Sequence, residues 1–157
     1  MTVLSILSAI NQARASASLT SLVLSLPLQN AAELQVEWLV HALKKRIRFP
    51  NDHVVLTDWL RAAHPELLWE RLDATFPDGP PDWIGAFDLA RLSGWEGHAK
   101  DNGGYFRRTG DPVAAWMQSQ FGHRENLLDP DWTAVGICAS VGVGGGKFLT
   151  WATFGSP

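Results

Sequence analysis

The hydrophobic pattern of this chain changes period near its end, and that change constrains the fold more than any other feature. Apolar side chains alternate with small or polar ones over residues 135–141 and again over residues 148–154, as in strands that bury one face. Residues 142–147, Gly-Val-Gly-Gly-Gly-Lys, separate the two runs, and glycine allows the positive backbone angles of a tight connection. The sequence therefore predicts an antiparallel hairpin.

Earlier in the chain the apolar residues follow the helical period instead. Residues 3–14 carry apolar side chains at spacings of three and four. Residues 27–46 carry a longer stripe that begins at a proline and ends in three cations, as helices often do. An extended segment over residues 16–27 is expected between them. Helices first and a hairpin last favour an α+β fold, with helices packed on a small antiparallel sheet.

Start and stop signals mark shorter elements in the middle of the chain. Thr57 or Asp58 can cap a short helix, and Pro65 can start another. Residues 76–81, Phe-Pro-Asp-Gly-Pro-Pro, are predicted to form a loop because their prolines forbid regular structure.

A second group of signals follows that loop. Asp82 is expected to cap a helix that ends at Gly94, since glycine accepts the left-handed conformation of a helix terminus. Residues 95–110 are polar and contain several glycines, so the sequence predicts no regular element there. The Asp-Pro pair at 111–112 starts the next helix, which Gly122 ends or kinks.

Composition and charge exclude several classes of protein. The 157 residues include 13 Lys and Arg against 16 Asp and Glu, so the positive surface of a nucleic-acid-binding protein is not expected. No apolar run reaches the roughly 18 residues of a transmembrane helix. The single cysteine, Cys138, excludes an internal disulfide and a cysteine-based zinc cluster. Length and a hydrophobic content of 46% predict one globular domain.

Motifs with known chemistry are interpreted as structural here. The glycine run 142–147 lacks the first glycine of a phosphate-binding loop and the hydroxyl residue after its lysine, and it precedes a strand rather than a helix. Cys138 falls within the strand alternation without a basic neighbour, so we interpret it as a semi-buried apolar side chain. The five histidines form no local zinc-binding pair, so a metal site would need ligands from distant segments.

Three stretches together carry a resemblance to a known family. Residues 115–136 run AWMQSQFGHRENLLDPDWTAVG, residues 147–155 run KFLTWATFG, and residues 6–15 run ILSAINQARA. They resemble bacterial members of the CAP superfamily (cysteine-rich secretory, antigen 5 and pathogenesis-related proteins, also called SCP-like). The resemblance implies an α-β-α sandwich formed by a single domain over residues 1–157, with a divergent helical insertion at about residues 44–81.

The resemblance also implies a cleft, which in the family holds two histidines and two acids. His123 matches one of these histidines, and Asp101 with Asn102 stands where the family has Glu-Asn, so the acid is shorter by one methylene. Ser119 stands where many relatives carry the second acid. A divalent metal such as zinc, bound by His123 and Asp101, is a further implication. The counterpart of the family's first histidine is open among His53, His64 and His98.

Three hypotheses about function follow. The leading one is a binding or interaction module rather than an enzyme, with a cleft near His123 and Asp101 that takes a lipid, another small molecule or a protein. The second is a hydrolase or a divalent-metal-dependent activity, in which His123 acts as base or ligand and Asp101 orients it. The third is a degenerate scaffold or partner-binding domain with an aromatic interface formed by Trp59, Trp69 and Trp83.

The resemblance and the first residues of the chain point to different locations. The family resemblance implies an extracellular or cell-envelope protein. Residues 1–14, in contrast, lack the basic start and the uninterrupted apolar core of a signal peptide. If the chain is the whole precursor, the sequence alone therefore predicts that it stays in the cytoplasm.

Overall fold

The protein, seen in a computed structural model, is described over residues 1–107 and 110–157, which contain seven helices and six strands. The helices are α1 (Val3–Ser16), α2 (Leu26–Lys45), α3 (Thr57–Ala63), α4 (Trp69–Thr75), α5 (Ala86–Leu92), α6 (Pro112–Met117) and α7 (His123–Leu127). The strands are β1 (Val23–Leu24), β2 (Val55–Leu56), β3 (Trp83–Ile84), β4 (His98–Arg107), β5 (Ala134–Gly144) and β6 (Lys147–Ser156).

Four strands form the central sheet, in the order β1-β5-β6-β4. The predicted hairpin is confirmed as β5 and β6, and its turn contains Gly145 and Gly146 with φ of 59° and 69°. Strand β4 pairs with β6 in antiparallel orientation along its whole length, and β1 adds in parallel beside β5. Strand β4 therefore forms one outer edge of this sheet.

Helices cover both faces of the sheet, so the α-β-α sandwich that the resemblance implies is confirmed. On one face, α2, α5 and the segment between them pack against Leu149 and Trp151 of β6. On the other face, α1, α6 and α7 pack against Ala152 and Phe154 of the same strand. Successive side chains of a strand point to opposite faces, so β6 contributes to both hydrophobic clusters.

The two long helices lie where the helical period predicts them. A capping box joins Thr2 and Ser5 at the start of α1, and their side chains satisfy backbone N–H groups that the helix leaves free. Helix α2 carries Pro27 in its first turn and ends at Arg46, which adopts a left-handed conformation with φ of 55°. No helix within the described ranges is long and apolar enough to cross a membrane.

The segment after the proline loop differs from its prediction. Residues 95–110, for which the sequence predicts no element, contain β4. Its polar and glycine residues hide the strand from a local pattern, whereas pairing with β6 satisfies half of its backbone groups. Asp82 caps no helix, because Trp83 and Ile84 form β3 and α5 begins only after Gly85.

The expected insertion at about residues 44–81 contains α3, α4 and β2, and β2 pairs with β3. Helix α4 begins at Trp69, later than the predicted start at Pro65. The rings of Trp59 and Trp83 lie 5.1 and 5.9 Å from the ring of Trp38 in α2, centroid to centroid. Trp59 therefore attaches residues 44–81 to α2, and Trp83 attaches β3 to the same helix.

Candidate functional site

A cleft of about 600 Å³ opens at the outer edge of β4, between the start of α5 and the start of α7. It combines titratable groups from three separate parts of the chain with aromatic side chains at its sides. The residues that give it this character are His53, Phe87, Lys100, Asp101, Phe121 and His123.

Asp101 is the cleft carboxylate that contacts His53, and its side chain is only 10% exposed. Its Oδ1 atom lies 3.1 Å from Nδ1 of His53, and its Oδ2 atom accepts a hydrogen bond from the indole N–H of Trp151. A Cβ atom on Gly103 would collide with the Trp151 ring, so only glycine leaves room for that ring. Two partners from different elements thus fix the orientation of the carboxylate.

The loop that carries His53 is attached to α2 by a buried side chain. The side-chain amide of Gln35, a residue only 1% exposed, donates to the carbonyl oxygen of Asp52 at 2.8 Å. The backbone N–H of His53 donates to Oδ1 of Asn51 at 2.9 Å. These contacts bring His53 to β4 although 48 residues separate it from Asp101 in sequence.

Asn102 points to the opposite face of the sheet and holds the other histidine in place. Its Nδ2 donates to the backbone carbonyl of His123 at 2.8 Å, and its Oδ1 accepts from Nδ2 of Asn126 at 2.9 Å. The same Asn126 amide donates to the backbone carbonyl of Asp101 at 3.1 Å. Consecutive residues of β4 therefore contact His53 on one face and α7 on the other.

The environments of the two histidines shift their pKa values in opposite directions. The hydrogen bond with Asp101 raises the pKa of His53, although partial burial works against it. Burial lowers the pKa of His123, and the nearby charge of His53 lowers it further. The two ring centroids are 5.9 Å apart. As pH falls, His53 therefore takes up a proton before His123 does.

Three of the four residues that the family resemblance assigns to the cleft line it. They are His123, Asp101 and Asn102. Ser119 does not contribute to the lining, and its hydroxyl accepts a hydrogen bond from the backbone N–H of Phe121 at 3.1 Å. Asp101 is bonded to His53 rather than to His123, the pair considered from the sequence.

Of the three candidates for the first histidine, His53 is the one beside Asp101. His64 instead lies between two carboxylates, with its ring nitrogens 3.2 Å from Glu37 and 3.1 Å from Glu66. His98 is exposed, and its ring lies 6.3 Å from that of Phe87.

Sequence reasoning did not include Trp151, Phe87 or Phe121 in the site. A signal for Trp151 existed in the Gly-Gly pair that follows Asn102, because glycine opposite a large aromatic residue often makes room for its ring. Phe87 is 42% exposed and Phe121 is 90% exposed. Exposure of this kind depends on tertiary packing, which a hydrophobic pattern does not contain.

The side chains do not form a ready-made metal centre. Within residues 1–107 and 110–157, no three His, Cys, Asp or Glu side chains lie close enough together to hold a metal ion. A zinc ion bound by Asp101 and His123 would therefore need further ligands, such as water molecules.

The single cysteine lies in the core of the sheet. Cys138 is 9% exposed, and burial raises the pKa of its thiol to about 11. Such a thiol stays protonated at neutral pH, which agrees with the structural interpretation of this residue.

Comparisons with known proteins point to the same architecture. A model described as "CAP: Cysteine-rich secretory protein family" matches residues 7–154. An outer surface protein from Borrelia burgdorferi is similar in structure, with a TM-score of 0.56 and 15% identity over 96% of this chain and 89% of that chain. An extracellular protein with an SCP domain from Bacillus anthracis has a TM-score of 0.54 and 21% identity over 98% of this chain and 39% of that one. None of the curated proteins compared with the chain matches it significantly.

Proposed function

The chain belongs to the cysteine-rich secretory protein (CAP) family, and we propose that it is a binding module whose cleft takes an amphipathic ligand. One observation carries this proposal: a largely shielded carboxylate, 10% exposed, and two imidazoles line the same cleft as two exposed phenylalanines. Ligand sites commonly combine a few convergent polar groups with apolar walls. The volume of about 600 Å³ suits a small molecule, a lipid chain or a short segment of a protein.

The polar part of the ligand would meet the imidazole rings. Nδ1 of His53 is engaged by Asp101, so Nε2 is the nitrogen left for a ligand. His123 stays neutral at neutral pH because burial lowers its pKa, and a neutral imidazole can both donate and accept. A ligand hydroxyl or amide suits such a pair because it also donates and accepts.

The apolar part of the ligand would cover the phenylalanines. Phe121 is 90% exposed, and removing one phenyl ring from water contributes roughly 1.5–3 kcal/mol. Phe87, at 42% exposure, offers a second and smaller apolar surface at the other side of the cleft. Phe87 lies in the first turn of α5, and Phe121 lies just before α7. A ligand between the two rings would therefore touch the starts of both helices.

A titration with 1-octanol, which has one hydroxyl and one apolar chain, tests this proposal. We expect saturable shifts of the backbone amide signals of residues 99–102 and 121–123 in the NMR spectrum of the full chain. Phe121→Ser should weaken binding at least tenfold, since the variant loses the largest exposed apolar surface.

Leu26→Ser is the matched control, because Leu26 is 72% exposed but lies outside the cleft. This variant should bind 1-octanol as the natural chain does. Shifts that do not saturate would contradict the proposal. So would a loss of 1-octanol binding in Leu26→Ser with none in Phe121→Ser.

Hydrolysis is a second candidate, favoured by the Asp101–His53 hydrogen bond. An imidazole whose Nδ1 is held by a carboxylate can accept a proton at Nε2. No Ser, Thr or Cys is among the described residues that line the cleft, so the nucleophile would be water. With p-nitrophenyl acetate, a water molecule would give a proton to Nε2 of His53 while the water oxygen attacks the carbonyl carbon. The bond to p-nitrophenolate would then break, and acetate would form.

The release of p-nitrophenolate, followed by absorbance, tests this candidate. His53→Gln should abolish the release above background, whereas His98→Gln replaces an exposed histidine outside the cleft and should not alter it. Equal rates in the two variants would count against hydrolysis and leave the binding role as the proposal.

The proposal extends to location. The two similar structures come from bacteria and are an outer surface protein and an extracellular protein. This supports a bacterial protein that acts at the cell envelope or outside the cell. Fractionation of the source cells with an antibody against the chain would test it, and recovery in the cytosol alone would contradict it.

A further inference from the structure

The edge of β4 that faces the cleft carries backbone groups that β6 does not use. The carbonyl oxygen of Gly155 accepts a hydrogen bond from the N–H of Thr133, so the polar groups of Gly155 face β5. Ala99 lies directly opposite Gly155 in the antiparallel register. In such a pair both residues point their N–H and C=O groups away from each other, so those of Ala99 point outward from the sheet.

A second observation agrees with this orientation. Asp101 lies two residues further along β4, in the same phase as Ala99. Its backbone carbonyl accepts a hydrogen bond from the side chain of Asn126 in α7, which lies outside the sheet. Ala99 and Asp101 both line the cleft. The N–H and C=O of Ala99 and the N–H of Asp101 are thus oriented towards the cleft as a short free edge.

We propose that the cleft binds an extended peptide segment, which pairs with the Ala99–Asp101 edge as an additional strand. This inference rests on the proposed binding function and names the class of ligand. An added strand receives its affinity from backbone hydrogen bonds and its specificity from side chains that alternate between the two faces. The cleft supplies both faces, because Phe87 belongs to the α5 layer and Phe121 precedes α7 on the other side.

The charges of the cleft select the kind of peptide. Three carboxylates line the cleft, those of Asp101, Glu125 and Asp129. Apart from the histidines, Lys100 carries the one cationic side chain among the described lining residues. Asp52 adds a further negative charge close enough to act on both histidines. A basic peptide with aromatic or apolar side chains therefore complements the cleft better than an acidic one. A lipid would leave the free backbone groups of β4 unpaired.

The probe for this inference is the peptide acetyl-Lys-Phe-Phe-Lys-amide, titrated into the full chain. Its adjacent phenylalanines would point to opposite faces, one towards each exposed ring of the cleft. We expect saturable binding with downfield shifts of the Ala99 and Asp101 amide protons. The same peptide methylated at both phenylalanine nitrogens should bind at least tenfold more weakly, because it loses a donor to the edge and its methyl group obstructs close pairing. Acetyl-Glu-Phe-Phe-Glu-amide should also bind at least tenfold more weakly.

Ala99→Pro tests the same edge from the side of the protein. The N–H of Ala99 points away from β6, so a proline at this position removes no hydrogen bond between β4 and β6. This variant should stay folded in urea denaturation and lose peptide affinity, because proline has no N–H to pair with the added strand. Lys147→Ala, at an exposed residue of β6 outside the cleft, is the control and should not weaken the basic peptide.

The outcomes separate this inference from the proposed function. If the N-methylated or the acidic peptide binds as well as the basic one, strand addition is wrong. If 1-octanol saturates the cleft but no peptide binds, the ligand is a lipid or another small molecule and the inference fails while the binding function stands. If neither probe shifts the cleft signals, both proposals fail.

Discussion

Each of the two sides of the cleft carries one histidine, but different interactions hold the two sides in place. We call α7 with the helices behind it, α1 and α6, the His123 wall, and residues 44–81 with α2 behind them the His53 wall. The His123 wall adds a buried polar network to its apolar packing: the guanidinium of fully buried Arg14 donates to four backbone carbonyls, those of Thr20, Leu127, Asp129 and Trp132. The His53 wall is held by aromatic packing around Trp38.

The difference explains why two histidines in one cleft behave differently. On the packed wall, a hydrogen bond from Gln35 of α2 to Asp52 brings His53 against Asp101, and the hydrogen bond between His53 and Asp101 raises the pKa of His53. The polar wall uses its hydrogen bonds on backbone groups, including the carbonyl of His123, and leaves that ring without a carboxylate partner of its own among the described residues. Burial then dominates and lowers the pKa of His123. The chemistry of each ring thus follows from how its wall is attached.

The largest effect is expected from removing the centre of the packed wall. Trp38→Ala leaves a cavity among Trp59, Trp83 and Phe49 and should lower the free energy of unfolding by about 3–5 kcal/mol. Urea denaturation measures it. Trp38→Phe is the milder control, since the Nε1 of Trp38 has no hydrogen-bond partner among the described residues. A loss below about 1 kcal/mol for Trp38→Ala would mean that packing does not hold this wall.

A slightly smaller effect is expected in the polar wall. Arg14→Met keeps an apolar stem but leaves four carbonyls without their donor, so we expect a loss of about 2–4 kcal/mol. Arg14→Lys retains the charge without the planar fork and should fall between the natural chain and Arg14→Met. The same urea experiment checks both. Equal stability of the lysine variant and the natural chain would show that charge alone holds the wall.

The connection between β4 and the polar wall is expected to contribute less. Asn102→Ala removes the donor to the His123 carbonyl and the acceptor for Asn126, which should lower the free energy of unfolding by about 1–3 kcal/mol. Lys100→Ala, an exposed neighbour on the same strand, should change it by less than about 0.5 kcal/mol. If the two variants were equally stable, the hydrogen bonds of Asn102 would have no net effect.

The smallest effect concerns the protonation of the two rings. An NMR titration of the imidazole carbon-bound protons should place the pKa of His53 above about 6.5 and that of His123 below it. Asp101→Asn should lower the pKa of His53, because it removes the main cause of the increase. Identical titration curves for the two histidines would contradict the contrast between the walls.

The same shifts give opposite pH dependences of stability. His53 contributes stability that is fully present below its unfolded pKa, near about 6.5, and is lost as pH rises through its raised folded pKa. His123 contributes stability that is present above its unfolded pKa and is lost as pH falls through its lowered folded pKa. His53→Gln should therefore cost more at about pH 5.5 than at about pH 7.5, and His123→Gln the reverse.

Elements with a strong local signal were predictable. Helices α1 and α2 and the hairpin β5–β6 follow from hydrophobic period, and α6 begins at the predicted Asp-Pro pair, where Asp111 accepts hydrogen bonds from the N–H groups of Val113 and Ala114. Strand β4 was missed because its polar residues and glycines carry no strand period. Its hydrogen bonds come from β6, a partner some 40 to 60 residues away in sequence.

The residues of the candidate site likewise include some that the sequence predicts and one that only the structure identifies. His123, Asp101 and Asn102 were found because they match a family pattern in short stretches of sequence. The choice of His53 over His64 and His98 required the attachment of the insertion to α2, which no short stretch contains.

The sequence by itself determined the two long helices and the hairpin of this protein, because the spacing of apolar side chains marks the buried face of a helix or strand. The tertiary structure decided which charged groups meet. Contacts such as the one between His53 and Asp101 depend on how distant segments pack, and they set both the protonation of each histidine and the edge of β4 that faces the cleft.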